Sequence, residues 1–440
     1  TYQKVLANAR AAGDHGLEGK ALANVGRVYS ALTQYAKAQD SLTAAIAIAQ
    51  TLTDTTLLGQ TLNDLGDLYH AQNQDDQSVE QYQKALALFQ QNNNAQGQAD
   101  TLLNLGKFYR DTAKYDQAVT QLTAALKLAQ QANATALEGE ILVNQGLVYR
   151  RQAQYDQALA AFQQALKVAQ TANDAPQQSK VLSNLGEVYQ AMGQLDQALS
   201  TYQNGLAAAQ KLNDPKLTND LTAKVGEIYR LTGKFDQALA IAQQLGDAKL
   251  EDETLESLAQ SQRNSGELDK ALATYQKVLA NAHTAGDKAL ESKTQTNLGR
   301  IYHTQTKFDQ AEAAFNAALT LAQTLTDTNL LAQTFEELGS LKQDQTQYEE
   351  SLAAYQKALA QFQTLKDVVS QANVLVNMGN VYRDMGELGQ ALPQYQAAQK
   401  LVNENDNAAL LGEILLDTGI AYRDLTQYEQ ALENFQAALK

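Results

Sequence analysis

Apolar residues return along this chain at helical spacing, in paired segments. In TLLNLGKFYRDT (101–112) and YDQAVTQLTAALKLAQ (115–130) they fall three and four positions apart. That spacing predicts two amphipathic helices. The short break AKY separates them, and polar stretches carrying NN or ND separate one pair from the next. Aspartates recur at one phase ahead of the first helix: Asp14, Asp54, Asp174, Asp214, Asp287, Asp327 and Asp367. Their short carboxylates suit helix N-caps. Pro215 directly follows Asp214, which fits the first helical position. Pro393 falls early in a second helix, where a distorted turn is expected.

The pairs are copies of one unit. A glycine stands three residues ahead of a tyrosine in LGDLY (65–69), LGKFY (105–109), QGLVY (145–149), LGEVY (185–189) and VGEIY (225–229). The glycines Gly26, Gly66, Gly106, Gly146, Gly186 and Gly226 are forty residues apart, and the series resumes at Gly299, Gly339, Gly379 and Gly419. Glycine inside a helix is worse than alanine by about 1 kcal/mol. Its recurrence predicts a partner helix passing too close for a Cβ, with Ala118, Ala158, Ala198 and Ala238 as the matching small residues. Tyr82, Phe162, Tyr202, Phe315, Tyr355, Tyr395 and Phe435 are expected to fill the space between units. One unit is short: in SLAQSQRNSGELDKAL (257–272) Ala259 takes the glycine place and Gln262 the tyrosine place. A larger repeat lies above this one, because 1–167 maps without a gap onto 274–440. The expected division is a first block at 1–245, a short atypical unit at 246–279 and a second block at 280–440. The first residue is Thr1 and both ends fall within a helix, so a longer parent protein is expected.

Composition narrows the chemistry. Ala, Leu and Gln dominate and there are only three prolines, so an all-α fold follows. There is no cysteine, which removes disulfides and thiolate metal sites. A formal net charge of −15 argues against nucleic acid, which needs a basic footprint. No apolar run approaches the roughly 18 residues of a membrane helix, so no membrane insertion is expected. No signal peptide opens the chain, and a cytoplasmic location is the expectation.

The motif LG-x-x-Y, then G-x-(Y/F/L)-D-Q-A, then A-L, as in VGEIYRLTGKFDQAL (225–239), resembles the tetratricopeptide repeat (TPR) family. The resemblance covers essentially the whole chain. The usual unit of about 34 residues is shorter than the spacing here. The longer form is similar to the repeats of kinesin light chains, of Pins-type signalling scaffolds and of bacterial arrays attached to CHAT-type protease or signalling ATPase domains. The resemblance implies an α-solenoid of antiparallel helix pairs wound into a right-handed superhelix, with first helices lining a concave groove.

At about 100° per residue, each first helix divides into two stripes. In 141–159, Leu142, Gln145, Gly146 and Tyr149 share the packing side, while Asn144, Leu147, Arg150 and Arg151 share the other. The same phase gives an asparagine ladder at Asn24, Asn104, Asn144, Asn184, Asn297 and Asn377, with Asp64, Glu337 and Asp417 acidic and Lys224 basic at the equivalent places. An arginine ladder follows at Arg110, Arg150, Arg230, Arg263, Arg383 and Arg423. The resemblance implies that Asn104, Asn144 and Asn184 hydrogen-bond the backbone of a bound peptide. An amide offers both donors and an acceptor, and an arginine fork suits a carboxylate. Lys107, Arg110, Arg150, Arg151, Lys224 and Arg230 make this stretch basic within an acidic chain, so an extended acidic segment is the expected partner there. Asn297, Asn377 and Arg383 form a secondary groove. Asp64 with Asp67, and Glu336 with Glu337 and Asp344, are locally acidic, to repel a wrong partner or accept a basic one. A second reading stays open: the asparagines are inherited with the duplication, and Arg110 and Arg383 pair with Asp111 and Asp384.

No nucleotide-loop, zinc-protease or nucleophile-elbow motif occurs, so no enzyme, cofactor or metal is expected. His15, His70, His283 and His303 are scattered. Two functional readings follow. One is a non-enzymatic interaction scaffold that holds a segment of a partner, of its own chain or of a neighbouring copy. The other is a structural protein that assembles through its periodic surface into a filament or tubule.

Overall fold

A computed structural model describes residues 2–403 and 407–439, residue 403 by its backbone alone. Thr1 and Lys440, on which the reading of the chain ends falls, lie outside the described residues. The described residues form helices without strands. They divide into two compact units, Thr1–Thr232 and Gly233–Lys440.

Unit 1 holds α1 (Tyr2–Ala12), α2 (His15–Ala31), α3 (Tyr35–Thr51), α4 (Thr55–Ala71), α5 (Asp75–Gln91), α6 (Ala95–Asp111), α7 (Tyr115–Gln131), α8 (Thr135–Arg151), α9 (Tyr155–Thr171), α10 (Ala175–Ala191), α11 (Leu195–Lys211) and α12 (Pro215–Leu231). Unit 2 holds α13 (Phe235–Leu245), α14 (Ala248–Asn264), α15 (Leu268–Ala285), α16 (Lys288–Thr304), α17 (Phe308–Leu325), α18 (Thr328–Asp344), α19 (Tyr348–Leu365), α20 (Val368–Asp384), α21 (Leu388–Asn403), α22 (Ala408–Asp424) and α23 (Tyr428–Ala438). Within each unit, successive helices pack against each other as antiparallel pairs. First helices also touch the next first helix, α2 with α4, α4 with α6 and α6 with α8. Each unit is an all-α solenoid with the first helices as its tighter row.

All seven phased aspartates are N-caps, each accepting a backbone N–H of the first turn. Asn94, Asp247 and Asn407 cap likewise. Pro215 is the first residue of α12. Pro393 stands inside α21, which continues through it. The α2 turn is typical of the hairpins. Thr33, at φ 58°, occupies the left-handed region. Its N–H donates to the Ser30 carbonyl, and that of Gln34 donates to Tyr29. This Schellman closure satisfies the last carbonyls of the helix. It recurs at Ala113, Ala153 and Gly193.

The glycines do make room, but for a side chain. A Cβ on Gly146 would lie 2.6 Å from the Phe162 ring, on Gly186 2.4 Å from Tyr202, and on Gly106 2.6 Å from Leu122. The alanines that the sequence put in this place, Ala118, Ala158 and Ala198, are fully buried one turn before those residues. In unit 2, Phe315, Tyr355 and Tyr395 sit on Gly299, Gly339 and Gly379. The aromatic residues thus lock the two helices of one repeat together, and as expected they also fill the space toward the next repeat, Phe162 clustering with Val181, Leu185 and Val188, and Tyr395 with Ile414 and Ala421. The contact between repeats is their second one: Tyr82 lies on Gly66 and also meets Phe108 edge-on, ring centres 6.5 Å apart.

Candidate binding groove

The repeat carries one register onto every first helix, so equivalent residues line up along the tighter row. Asn104, Lys107 and Arg110 come from α6, Asn144, Arg150 and Arg151 from α8, Asn184 from α10, and Lys224 and Arg230 from α12. All nine belong to unit 1. Asn297, Asn377 and Arg383 lie in unit 2, on α16 and α20.

Most of these groups bind each other or a neighbouring carboxylate. Arg110 Nη1 donates to Asn144 Oδ1 at 2.5 Å, and its Nη2 stands 2.9 Å from Asp111 Oδ1. Asn144 Nδ2 donates to the Glu140 carbonyl at 2.9 Å. Asn144 is only 5% exposed, so both ends of its amide are engaged out of solvent. The sequence had set it on the open stripe. The long Arg110 side chain reaches it from the preceding repeat. Lys107 Nζ lies 2.5 Å from Glu140 Oε1. Arg150 and Lys224 both grip Glu187, one on each carboxylate oxygen. Lys224 also sits 5.5 Å from the centre of the Tyr202 ring. Burial, and then the charge of Arg150, holds the Lys224 ammonium below its usual range. Burial, and then Arg151, lowers Arg150. Arg230 forms a double hydrogen bond with Glu227, three residues earlier. Asn184 Nδ2 donates to the Lys180 carbonyl at 3.0 Å. Asn104 and the exposed Arg151 have no hydrogen bond or ion pair among the described residues.

Five of the six cations thus bond the carboxylates Asp111, Glu140, Glu187 and Glu227, and Asp100 and Asp220 also act electrostatically on Lys107 and Lys224. Arg151 and Asn104 are the row's open donors. Unit 2 repeats the arrangement. Asn297 is 7% exposed and accepts from Arg300 Nη1 at 3.0 Å, while Arg300 Nε reaches Glu337 at 2.8 Å. Arg383 pairs with Asp417 at 3.1 Å. Asn377 has no hydrogen bond among the described residues.

Glu187 and Glu227 were missed in the sequence, although a signal existed. Both occupy the residue after the repeat glycine. That position meets the ladder position of the next repeat, 37 residues on, in Glu187–Lys224 and Arg300–Glu337. Arginine-ladder residues meet it 34 residues on, in Arg110–Asn144 and Arg383–Asp417. Opposite charges at these separations mark contacts between repeats.

The acidic places are carboxylates under strain from burial. Burial pushes Asp64 up to about 7, and Arg27, 3.5 Å away, holds it back only in part. Burial and the Glu337 charge push Glu336 up to about 7. Asp344 binds His303 at 2.8 Å. Among the described residues no His, Asp or Glu cluster is arranged to hold a metal ion.

A tetratricopeptide repeat model matches residues 97–171, 177–245, 250–324 and 370–440. Two further models of the same description match 58–95 and 21–56. The chain belongs to the tetratricopeptide repeat family. Membership supports a protein-interaction scaffold. Solved structures share the helical architecture at low identity. The apo quorum sensor NprR from B. thuringiensis is 15% identical over 75% of this chain and 98% of its own, with a TM-score of 0.49. A signal transduction ATPase with a tetratricopeptide repeat sensor from Pyrococcus horikoshii is 12% identical over 73% of this chain and 52% of its own, at 0.47. Aspartyl phosphate phosphatase F from Bacillus subtilis is 16% identical over 64% and 75%, at 0.42. A comparison with curated proteins finds no match. Among the described residues, no helix of this TPR array is long and apolar enough to cross a membrane.

Proposed function

We propose that this TPR array is a non-enzymatic scaffold whose first-helix row, from α6 to α12, binds an extended acidic segment. The segment comes from a partner, from elsewhere in its own chain or from a neighbouring copy. The observation that carries the reading is the pair of open donors on this row, Asn104 and the exposed Arg151, in a chain of net charge −15. Asn104 holds the ligand backbone, because its amide is free to donate and accept. Arg151 meets a ligand carboxylate directly. Arg150 and Lys224 are shared between the ligand and Glu187, so binding there is an exchange of one carboxylate for another.

The test uses a fluorescein-labelled peptide of alternating Glu and Gly, with its Gln–Gly counterpart as control. Anisotropy with the full chain should show binding of the acidic peptide that weakens with salt. Replacing Arg150 and Arg151 together by Gln should weaken it by about tenfold, two partly exposed charge contacts at about 0.7 kcal/mol each. Equal affinity for the two peptides, or full retention in the double variant, would sink the proposal.

A further inference from the structure

The open amide of the row does not stand on a uniformly cationic surface. Asn104 lines a cleft of about 440 Å³ between α2, α4, α6 and α8. The charged residues of that lining balance: Lys20, Arg27 and Lys107 stand with Asp64, Asp100 and Glu140. Glu140 is held closely by Lys107, at 2.5 Å. Asp64 has Arg27 at 3.5 Å, beyond the length of a tight charge-assisted bond, and Arg27 donates instead to Asn24 at 2.7 Å. Asp100, one turn before Asn104 on α6, forms no hydrogen bond or ion pair among the described residues.

Asp64 and Asp100 are half-buried, and burial disfavours the charged form of a carboxyl group. It pushes Asp64 up to about 7, with Arg27 holding it back in part. Burial and then the Glu140 charge push Asp100 up to about 6. The charged and titratable groups that face the two are Lys20 and Arg27 from α2, Asp67 and His70 from α4, Tyr82 from α5, Lys107 from α6 and Glu140 from α8. Asp67 has its own donor, the Tyr82 hydroxyl at 2.5 Å, and His70 stands 3.2 Å from Asp75 of α5. At about pH 7.5 the charges of the lining are close to balance. At about pH 5.5 Asp64 and most of Asp100 are protonated, which leaves the three cations with Glu140 alone.

We propose that Asp64 and Asp100 make this cleft a pH gate on the row: ionised, they repel an acidic segment from Asn104, and mild acid admits it. The two carboxylates are not a binding site; they set the charge beside an amide that belongs to one. The inference rests on the acidic-segment reading and adds the condition under which the segment engages the α6 end of the row. The sign follows from linkage. An acidic ligand favours the protonated forms of Asp64 and Asp100, so its binding takes up protons and tightens as pH falls through 7 to 6. Glutamates of the ligand stay ionised across this window, since their ordinary value is about 4.3. Protonation of Asp64 also frees Arg27, its ion-pair partner, for the ligand. In the duplicated block Asn104 maps onto Asn377, but Asp100 maps onto Asn373, an amide that carries no charge at any of these pH values.

The experiment measures anisotropy of the Glu–Gly peptide, carrying tetramethylrhodamine because that dye does not titrate in this range, with the full chain at constant low salt. Affinity should rise about tenfold from about pH 7.5 to about pH 5.5, because two repelling charges are removed at about threefold each. Asp64→Asn and Asp100→Asn in one chain should bind at about pH 7.5 as tightly as the wild type does at about pH 5.5. That chain should keep at most about a twofold dependence on pH, from the remaining groups such as His70. Asp100→Asn alone, the milder variant, should reduce the wild-type ratio to about threefold. Arg150→Gln with Arg151→Gln should weaken binding at both pH values and leave the ratio at about tenfold. Circular dichroism at both pH values checks that each chain keeps its helices. A wild-type affinity that is the same at both pH values, or an undiminished ratio in the folded aspartate variants, overturns the gate and leaves the acidic-segment reading standing. Absence of binding at either pH overturns both.

Discussion

Replacing Glu187 by Gln tests how the groove works. Glu187 bridges Arg150 on α8 and Lys224 on α12, with all three side chains a little under one-third exposed, 29%, 27% and 29%. Gln keeps the shape and an acceptor oxygen but removes the charge. Partly exposed ion pairs contribute about 0.5–1 kcal/mol each, so the loss for two is about 1–2 kcal/mol of stability. The same quantity returns on binding, because a ligand carboxylate no longer competes with Glu187. Acidic-peptide affinity should therefore rise about five- to thirtyfold. Anisotropy at about 50 mM and about 300 mM salt reads the effect, which should shrink at the higher salt as charges are screened. Urea denaturation reads the stability loss in parallel. Weaker or unchanged peptide binding in a folded Glu187→Gln protein would refute the exchange argument, since the two cations would then not touch the ligand.

Other expected outcomes follow from packing, backbone and titration. Gly146→Ala puts a Cβ 2.6 Å from the buried Phe162 ring, so overpacking of about 1–3 kcal/mol should exceed the helix-propensity gain of about 1 kcal/mol and lower the urea midpoint. Gly139→Ala on the same helix meets the flexible end of Gln177 at 2.7 Å and Val168 only at ordinary contact, 3.4 Å, and should be neutral or stabilising by up to about 1 kcal/mol in the same assay. Ala153→Gly relieves a left-handed turn at φ 56° and should raise the melting temperature, by about 1 kcal/mol of stability. Asp64→Asn should stabilise the fold near pH 8 and much less near pH 4. A carboxylate raised from 3.8 to about 7 stabilises the fold while protonated and loses that as pH rises through this window, which denaturation across pH will show.

The fold was legible because its determinants are local and repeated. Seven aspartates at one phase announced seven helix starts, and each capping bond is present. The recurrent glycine announced a close approach, but not what approaches. Periodicity alone cannot tell a neighbouring backbone from a ring, and it did not show that the ring of Phe162 or Tyr202 sits on the glycine of its own repeat. The site was legible as a stripe and not as a state. Helical phase put Asn144 opposite Gly146, but not that Arg110 crosses 34 residues of sequence to engage it.

A ladder that pairs with itself changes what recognition can mean on this row. Isolated cations would attract any acidic chain. Here Arg150 and Lys224 already hold Glu187, and Lys107 holds Glu140, so a ligand gains only the difference between its carboxylates and the internal ones. That difference is small for a carboxylate in the wrong place and largest for one that reaches Arg151, whose charge has no competitor among the described residues. The internal glutamates therefore weaken binding and sharpen it together, since poor matches are left with nothing to gain. The same pairs join α8 to α10 and α10 to α12, so they order the row before any ligand arrives, and less side-chain entropy is lost when it does.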